Sequence, residues 1–288
     1  MKHFVVFASA VLFCALFQTA GFGESPSPLK AGDRMVLTVD GLEFAFRWCP
    51  PGEFMMGSSE LETDRSKYKN LHRYKISPNY AWNDERPVHK VQLTRGFWLL
   101  ETEVTQAMWL KVMRKNPSFY QMGWLFREHD LQRPVESVTW DDCQEFCQKL
   151  SQKLDRKVQL PTEAQWEYAC RAGTTGPFAG DIDSMGWYCE NSKNKTHTVG
   201  QKKPNAWGLY DMHGNVKEWC SDFWDKDFYE KSPLCDPENT AHSIFHVLRG
   251  GCYHDSEMMC RSADRFAMTY DSKYSSGLRV LLVPDSEE

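Results

Sequence analysis

Residues 160–171 read LPTEAQWEYACR. Thr162 and Gln165 in this stretch have the spacing of a capping box, so the sequence predicts that a helix begins here. Trp166 and Cys170 then recur at helical spacing, which predicts one buried face. The stretch therefore predicts a short amphipathic helix.

Two more helices are predicted upstream of this one. The first follows Trp140, with Asp141 or Asp142 as its N-terminal cap. Its apolar positions share a helical spacing, and they are Cys143, Phe146, Cys147 and Leu150. A shorter helix is predicted to begin near Thr105, with Trp109 and Val112 pointing inward.

The N-terminal third of the chain favours strands. Residues 35–39 and 42–46 alternate apolar and polar positions on either side of Asp40-Gly41, which predicts a hairpin. Residues 88–98 alternate in the same way and predict a further strand. The presence of both strands and helices indicates a mixed α and β fold.

The middle of the chain, residues 173–243, has almost no period and is rich in Gly, Pro, Asn and Trp. Stretches this long without regular elements are uncommon in compact domains, so disulfides or bound cations are expected to tie it down. Order returns at residues 246–248 and 277–283, which predict two strands.

The N-terminus has the pattern of a secretory signal. A short basic start, Met1-Lys2-His3, precedes an apolar run from Phe4 to Phe17 and then small residues. We expect cleavage near Ala20 or Gly23, with a signal over 1–23, a linker over 24–34 and one domain over 35–288. A membrane anchor and a lipoprotein modified at Cys14 are the alternatives, although the apolar run is shorter than the roughly 20 residues that span a bilayer. No other segment predicts a membrane span.

Composition and cysteine usage narrow the class further. The net charge of −5 argues against a nucleic-acid partner, and 14% aromatic residues with 11 Trp indicate aromatic packing or a ligand groove. Nine of the ten cysteines follow the signal, which in an oxidising compartment favours disulfides. Nine is odd, so at least one thiol is expected to stay free or to pair outside the chain.

Several strings along the chain occur in the order of one known family. They include WCPPGEFMMGS at 48–58, ETEVT at 101–105, VTWDD at 138–142, LPTEAQWEYACR at 160–171, GLYDMHGNVKEW at 208–219, RGG at 249–251, CRSA at 260–263 and GLRV at 277–280. The chain resembles the formylglycine-generating enzyme, or sulfatase-modifying factor, family over about residues 37–283. The resemblance implies one α+β domain with a C-type-lectin-like fold and little regular secondary structure.

The resemblance also implies where catalysis would reside. The enzymes of the family oxidise a sulfatase cysteine to formylglycine with O₂, and two cysteines hold Cu(I) and the substrate thiol. Those cysteines stand four and nine positions after Arg-Gly-Gly, where this chain has Asp255 and Cys260. Cys252 stands where the enzymes usually have Ser. Cys252 and Cys260 are therefore the candidate catalytic and copper residues, and a structural disulfide between Cys260 and Cys170 is the competing role.

The resemblance also implies a calcium-binding site. The segment 211–218 resembles the calcium loop of the family, with the side chains of Asp211 and Glu218 and the carbonyls of Gly214 and Val216 as ligands. Carboxylates and carbonyls at close spacing form a hard, oxygen-only site. A second site would use Asn191 and Ser192, but Gly200 replaces its acidic ligand.

Two further residue types bear on the site. Lys217 stands where the family usually has Trp, and an ammonium beside a cation site is expected to point to solvent. The histidines His213, His246 and His254 are scattered through loops, which favours surface positions.

Together these features favour an exported module, periplasmic or secreted, that is stabilised by calcium and binds a protein or peptide, with a sulfatase as one candidate partner. It would lack full oxidase chemistry, because one catalytic cysteine is missing. The alternative is a formylglycine-generating oxidase that uses O₂ and copper.

Overall fold

The computed structural model describes residues 28–60, 62, 64, 68, 82–121 and 130–285. The predicted signal at 1–23 lies outside these residues, as do the first residues of the predicted linker. Among the helices that the structure describes, none has the length and apolar character to cross a membrane.

The regular elements are short and alternate between classes. The strands are β1 (Arg34–Val39), β2 (Leu42–Cys49), β3 (Gly52–Met56), β4 (His89–Leu93), β5 (Phe97–Leu100), β6 (Val158–Gln159), β7 (Lys217–Phe223), β8 (Phe245–Arg249), β9 (Phe266–Thr269), β10 (Ser276–Gly277) and β11 (Leu281–Leu282). The helices are α1 (Gln106–Met113), α2 (Trp140–Leu154), α3 (Glu163–Arg171), α4 (Ile182–Met185) and α5 (Phe228–Lys231). The mixed α+β fold predicted from the sequence is confirmed.

The strands of the described residues form three sheets. The largest has the order β1-β2-β5-β11-β6, the second has the order β10-β7-β8-β9, and the third pairs β3 with β4. The predicted hairpin is confirmed, because β1 and β2 pair antiparallel from Val39↔Leu42 outward. The single strand predicted over 88–98 is wrong: β4 and β5 belong to different sheets. Gly96 lies in the break between them, where an added Cβ would stand 2.2 Å from the Trp48 ring.

The three predicted helices are present, with one correction to a cap. α3 begins at Thr162, and the capping box with Gln165 is formed in both directions. α1 begins at Thr105, as expected. The cap of α2 is Thr139 rather than Asp141 or Asp142, because Asp142 is the third helical residue and its carboxylate accepts the Thr139 N–H at 2.9 Å.

The region without sequence period contains β7, which the sequence pattern did not predict. Its burial is nearly continuous, with Trp219 and Cys220 fully buried. A strand buried on both faces has no alternation to detect. The predicted final strand at 277–283 is likewise two short strands, β10 and β11, in different sheets.

Buried arginine–carboxylate pairs connect loops and short elements that are far apart in the sequence. The pairs, each with both side chains at most 2% exposed, are Arg249–Glu167, Arg261–Glu85, Arg265–Glu163 and Arg279–Glu218. Charge-assisted bonds of this kind are strong when their remaining donors are also satisfied. They hold the loops together, and the disulfides expected from the sequence stay a prediction.

Candidate functional site

The loop after β8 folds back onto the start of β7. The Asp255 N–H donates to the Cys252 carbonyl at 2.9 Å, which closes a tight turn. The Tyr253 N–H in this turn donates to the Asn215 carbonyl at 3.0 Å. These two bonds place the turn directly against Lys217, the first residue of β7.

Three side chains converge below this turn. The Lys217 ammonium forms a close ion pair with Asp255 Oδ2 and lies 3.4 Å from Cys252 Sγ. Cys252 Sγ in turn lies 3.0 Å from Asp255 Oδ2. All three residues are at most 7% exposed. The expectation that Lys217 points to solvent is wrong, because Asp255 supplies the counter-charge that allows burial.

The electrostatics of the cluster follow from burial and the ion pair. Burial alone would raise the pKa of Asp255, but the Lys217 ammonium and the hydrogen bonds from Cys252 and Lys217 hold it below its usual value. Burial raises the pKa of the Cys252 thiol well above its usual range, although the Lys217 ammonium opposes this. The cluster therefore rests as a carboxylate, an ammonium and a protonated thiol at neutral pH.

His254 completes the cluster on its open side. Its Nδ1 lies 3.3 Å and its Nε2 3.6 Å from Cys252 Sγ, and its Nε2 lies 3.9 Å from Asp255 Oδ1. The side chain is 24% exposed, and burial lowers its pKa, which keeps the imidazole neutral. His254 is thus the member of the cluster that solvent reaches.

A row of aromatic side chains extends from this opening, and we call it the aromatic row. Its neighbouring ring centroids lie 4.8 to 5.3 Å apart, and its members are Phe119, Tyr120, Tyr253, His254 and Tyr274. Both ends are solvent-facing, since Phe119 is 79% and Tyr274 66% exposed. The three rings between them are half-buried. A contiguous row of rings with exposed ends is typical of a surface that binds a partner.

The other two cysteines named in the sequence analysis, Cys260 and Cys170, lie outside this cluster. Cys260 packs against Gly251, where an added Cβ would stand 2.6 Å from Cys260 Sγ, so the loop folds back and brings Cys260 next to the residue before Cys252. Cys170 Sγ lies 3.6 Å from Ser262 Oγ and 3.8 Å from His213 Nε2. Cys170 and Cys260 are free thiols in the structure, and the bridge between them stays a prediction.

The predicted calcium loop is buried, and its two carboxylates have different surroundings. Asp211 Oδ2 accepts the Gly200 N–H at 2.7 Å, while its Oδ1 is buried with no hydrogen-bond partner among the described residues. Glu218 is saturated, because the Arg279 guanidinium lies at 2.9 Å and Trp166 Nε1 donates at 2.7 Å. Asp211 therefore fits a cation ligand and Glu218 fits one less well.

A third carboxylate, Glu103, lies against the same loop and was not predicted. It accepts the Val216 N–H at 3.0 Å and the Asn215 Nδ2–H at 2.7 Å. Burial and the nearby Asp211 raise the pKa of Glu103 well above its usual value, and burial raises the pKa of Asp211 to about 6. Gly214 packs so tightly that an added Cβ would stand 2.1 Å from the Trp187 carbonyl oxygen. The loop is thus rigid and carries negative charge that a proton or a cation would offset.

The side chains of the second predicted calcium site form hydrogen bonds with the surrounding backbone. Asn191 Oδ1 accepts the Tyr188 N–H at 3.0 Å, and its Nδ2 donates to the Gly186 carbonyl at 2.9 Å. Ser192 Oγ donates to the Tyr253 carbonyl at 2.5 Å. These side chains hold the backbone of this segment, and a calcium ion there stays a prediction.

Two of the histidines expected at the surface are buried. His213 accepts the Ala179 N–H at 3.1 Å, and burial lowers its pKa to about 4. His246 stacks on Trp140 with ring centroids 4.0 Å apart. Both are neutral packing residues rather than ligands.

The sequence reasoning missed the roles of Lys217 and His254. The departure at position 217 was visible, but its partner in the fold was not, since 38 positions separate Lys217 from Asp255. The spacing Cys252-x-His254-Asp255 was a local signal that could have identified the cluster.

Comparison with known proteins agrees with this architecture. The profile of the sulfatase-modifying factor enzyme 1-like domain matches residues 45–283. The formylglycine-generating enzyme of Streptomyces coelicolor is 34% identical over 164 residues, which cover 50% of this chain and 50% of that enzyme. Serine/threonine-protein kinase pkn1 of Chlamydia pneumoniae is 32% identical over 205 residues, covering 63% of this chain and 32% of the kinase. The chain thus spans between a third and a half of the length of these relatives.

Two solved structures share the fold across their whole length. Treponema denticola variable protein 1 superposes with a TM-score of 0.74 at 27% identity, covering 87% of this chain and 99% of that one. PvdO from Pseudomonas aeruginosa superposes with a TM-score of 0.72 at 24% identity, covering 89% and 100%. The second likeness supports the fold alone.

Proposed function

The chain belongs to the sulfatase-modifying factor family, and from this premise we propose that it is an exported, calcium-stabilised module that binds a protein or peptide and lacks complete oxidase chemistry. Export rests on the basic, apolar and small-residue pattern at the N-terminus. The binding role rests on the geometry around Lys217 and Asp255.

The buried Lys217–Asp255 ion pair is the observation that carries the proposal. Asp255 stands where the resemblance places a catalytic cysteine, and the Lys217 ammonium lies against both Asp255 and Cys252. Soft Cu(I) prefers thiolates, whereas a carboxylate is a hard ligand and an ammonium repels any cation. These residues do not fit the copper centre of the family enzymes.

The aromatic row supports a binding role rather than a catalytic one. His254, a member of the row, lies against Cys252, so the row is on the same face as the residues that correspond to the enzymes' active site. Tyrosine and phenylalanine offer large contact areas at low entropic cost and often form the central contacts of interfaces. A peptide segment laid along the row would cover Phe119 and Tyr274, its exposed ends.

The oxidase alternative is tested with a peptide that contains Cys-x-Pro-x-Arg. We expect no formylglycine by mass spectrometry when the purified protein, copper and O₂ are incubated with this peptide. Aldehyde that forms with the native chain and disappears in Cys252→Ser or Cys260→Ser would establish the enzyme and overturn the proposal.

Binding is tested on the same peptide by fluorescence anisotropy. We expect Phe119→Ala and Tyr274→Ala each to weaken binding at least about fivefold, because they remove exposed contact area without touching the core. Leu234→Ala is the matched control, since Leu234 is 48% exposed away from the row. Equal affinity in all three variants would exclude the aromatic row as the binding surface.

A further inference from the structure

A groove between α2, β6 and the end of β7 lies apart from the residues discussed so far. Its volume is about 410 Å³, within the roughly 300 to 1,000 Å³ of small-molecule sites. Its walls combine aromatic rings with amide and hydroxyl groups, which include Trp140, Gln144, Gln159, Ser221, Phe223 and Thr240. We propose that this groove binds the pyranose rings of a neutral oligosaccharide. The site goes beyond the proposed binding function, because it shares no residue with the aromatic row or the calcium loop.

Two aromatic rings in the wall of the groove are held in fixed positions. The buried His246 ring stacks on Trp140 with centroids 4.0 Å apart and contacts Phe223 with centroids 4.4 Å apart. Trp140 Nε1 donates to the Cys220 carbonyl at 2.9 Å, so the polar atom of the indole is already used. The apolar carbon surface of these rings is what remains for a ligand, and the C–H face of a pyranose packs on such a surface.

Polar side chains in the same wall have unused hydrogen-bonding capacity. Gln144 lies one turn after Trp140 on α2, and Gln159 lies in β6. Both are half-buried, and neither amide has a hydrogen-bond partner among the described residues. Ser221 Oγ has only a long contact of 3.5 Å, to Asp222 Oδ2. Amides and hydroxyls can both donate and accept, as sugar hydroxyls do, so these groups match the rim of a pyranose.

The charges of the lining residues favour a neutral ligand. Lys157 and Glu238 are exposed at the groove and carry opposite charges. A phosphate or another strongly charged ligand is bound by an excess of one sign, usually from arginine or lysine. Leu160 is the single aliphatic side chain among the described lining residues, so the groove lacks the apolar pocket that anchors a peptide side chain.

The loop that closes one side of the groove is fixed to β7. The Phe223 N–H donates to the Asn239 carbonyl at 2.9 Å, and Asn239 Nδ2 donates to the Phe223 carbonyl at 2.8 Å. The Asn239 N–H also donates to Asp222 Oδ1 at 2.9 Å. These three hydrogen bonds form the wall before a ligand arrives, which lowers the entropic cost of binding.

Saturation-transfer difference NMR on the full chain tests the groove. The probes are three neutral trisaccharides at millimolar concentration, namely maltotriose, cellotriose and tri-N-acetylchitotriose. We expect saturation to pass from the protein to the ring C–H protons of at least one of them, because its pyranose faces would lie against Trp140 and Phe223. Absence of transfer to all three would overturn the proposal. The measurement involves no peptide, so its result is independent of the proposed function.

Variants assign the signal to the groove. Gln144→Ala and Gln159→Ala should each weaken binding of the responding trisaccharide at least about fivefold, because each removes an amide that bonds to sugar hydroxyls. Gln152→Ala is the matched control, since Gln152 is exposed on α2 outside the groove, and it should bind like the native chain. Unchanged affinity in Gln144→Ala and Gln159→Ala would overturn the proposal. Loss of affinity for the Cys-x-Pro-x-Arg peptide in these two variants would also overturn it, because the groove would then be a peptide site.

Discussion

At the scale of single residues, the decisive feature is a pair of opposite charges that share one buried position. Lys217 and Asp255 are 5% and 7% exposed, and each is charged because the other is present. A buried ion pair adds little net stability, but removal of one partner leaves an uncompensated charge. This asymmetry makes the pair testable by unfolding measurements.

We expect Asp255→Asn to lower the free energy of unfolding by about 3 kcal/mol, because the Lys217 ammonium would lose its counter-charge. The double variant Lys217→Met with Asp255→Asn should recover most of this loss. Denaturant unfolding followed by tryptophan fluorescence measures both. Asp225→Asn, which breaks the exposed pair with Lys231, should change stability little. If Asp255→Asn and Asp225→Asn lowered the free energy of unfolding equally, the Lys217–Asp255 pair could not be a buried pair of charges.

Asp211 predicts a pH dependence. Its pKa is raised by burial from 3.8 to about 6, so the folded chain binds a proton more tightly than the unfolded chain does. The contribution of Asp211 to stability is fully present below pH 3.8 and is lost as the pH rises through about 6, on the order of 3 kcal/mol. In chelator, Asp211→Asn should lose less stability over this range than the native chain. Parallel pH profiles would show that Asp211 does not titrate there.

At the scale of elements, β7 depends on the turn that leads into it. Gly214 has φ 122° and stands so close to Trp187 that a Cβ would overlap a backbone carbonyl. Gly173, at the end of α3, has φ 89° but open space around it. Substitution of Gly173 would therefore introduce backbone strain alone, whereas substitution of Gly214 would add steric overlap to that strain.

We expect Gly214→Ala to cost about 3 kcal/mol or more, since backbone atoms cannot move aside without shifting β7. Gly173→Ala should cost about 1 kcal/mol, the strain of a left-handed conformation alone. Thermal or denaturant unfolding of the two variants measures the difference. Similar losses would mean that the Trp187 contact relaxes easily.

At the scale of the whole molecule, the loops are held by buried charges, and the calcium loop lies among them. Three carboxylates, Glu103, Asp211 and Glu218, face one guanidinium, that of Arg279. Burial and the neighbouring carboxylates raise the pKa values of Glu103 and Asp211, and an added cation would offset this cost of ionisation. Any ion there stabilises only the folded chain.

Calcium is therefore expected to raise the melting temperature. At a hundredfold excess over Kd the gain is about 2.7 kcal/mol, which corresponds to roughly 5 to 10 °C for a domain of this size. Differential scanning calorimetry with calcium and with chelator measures the shift, and Asp211→Asn should remove it. A melting temperature that calcium and chelator leave unchanged would show the loop to be a plain turn.

The sequence by itself determined the local elements and the family. Thr162 with Gln165, and Thr105 ahead of Trp109, are signals within a few residues, so caps and helix faces could be predicted from them. The ordered strings from 48–58 to 277–280 identified the α+β fold without any distance. Each of these signals is short in range, because it depends on backbone geometry or on side chains one helical turn apart.

Only the tertiary structure decided the site. Lys217 and Asp255 are far apart in sequence, and either residue alone reads as a surface charge. The sequence of β7 shows no alternation because both faces of the strand are buried. The N-terminal cap of α2 is Thr139 rather than a predicted aspartate, because the Asp142 side chain bonds back to the Thr139 backbone. Burial makes an ammonium, a thiol and a carboxylate depend on one another, and burial is a property of the packed chain that no local pattern records.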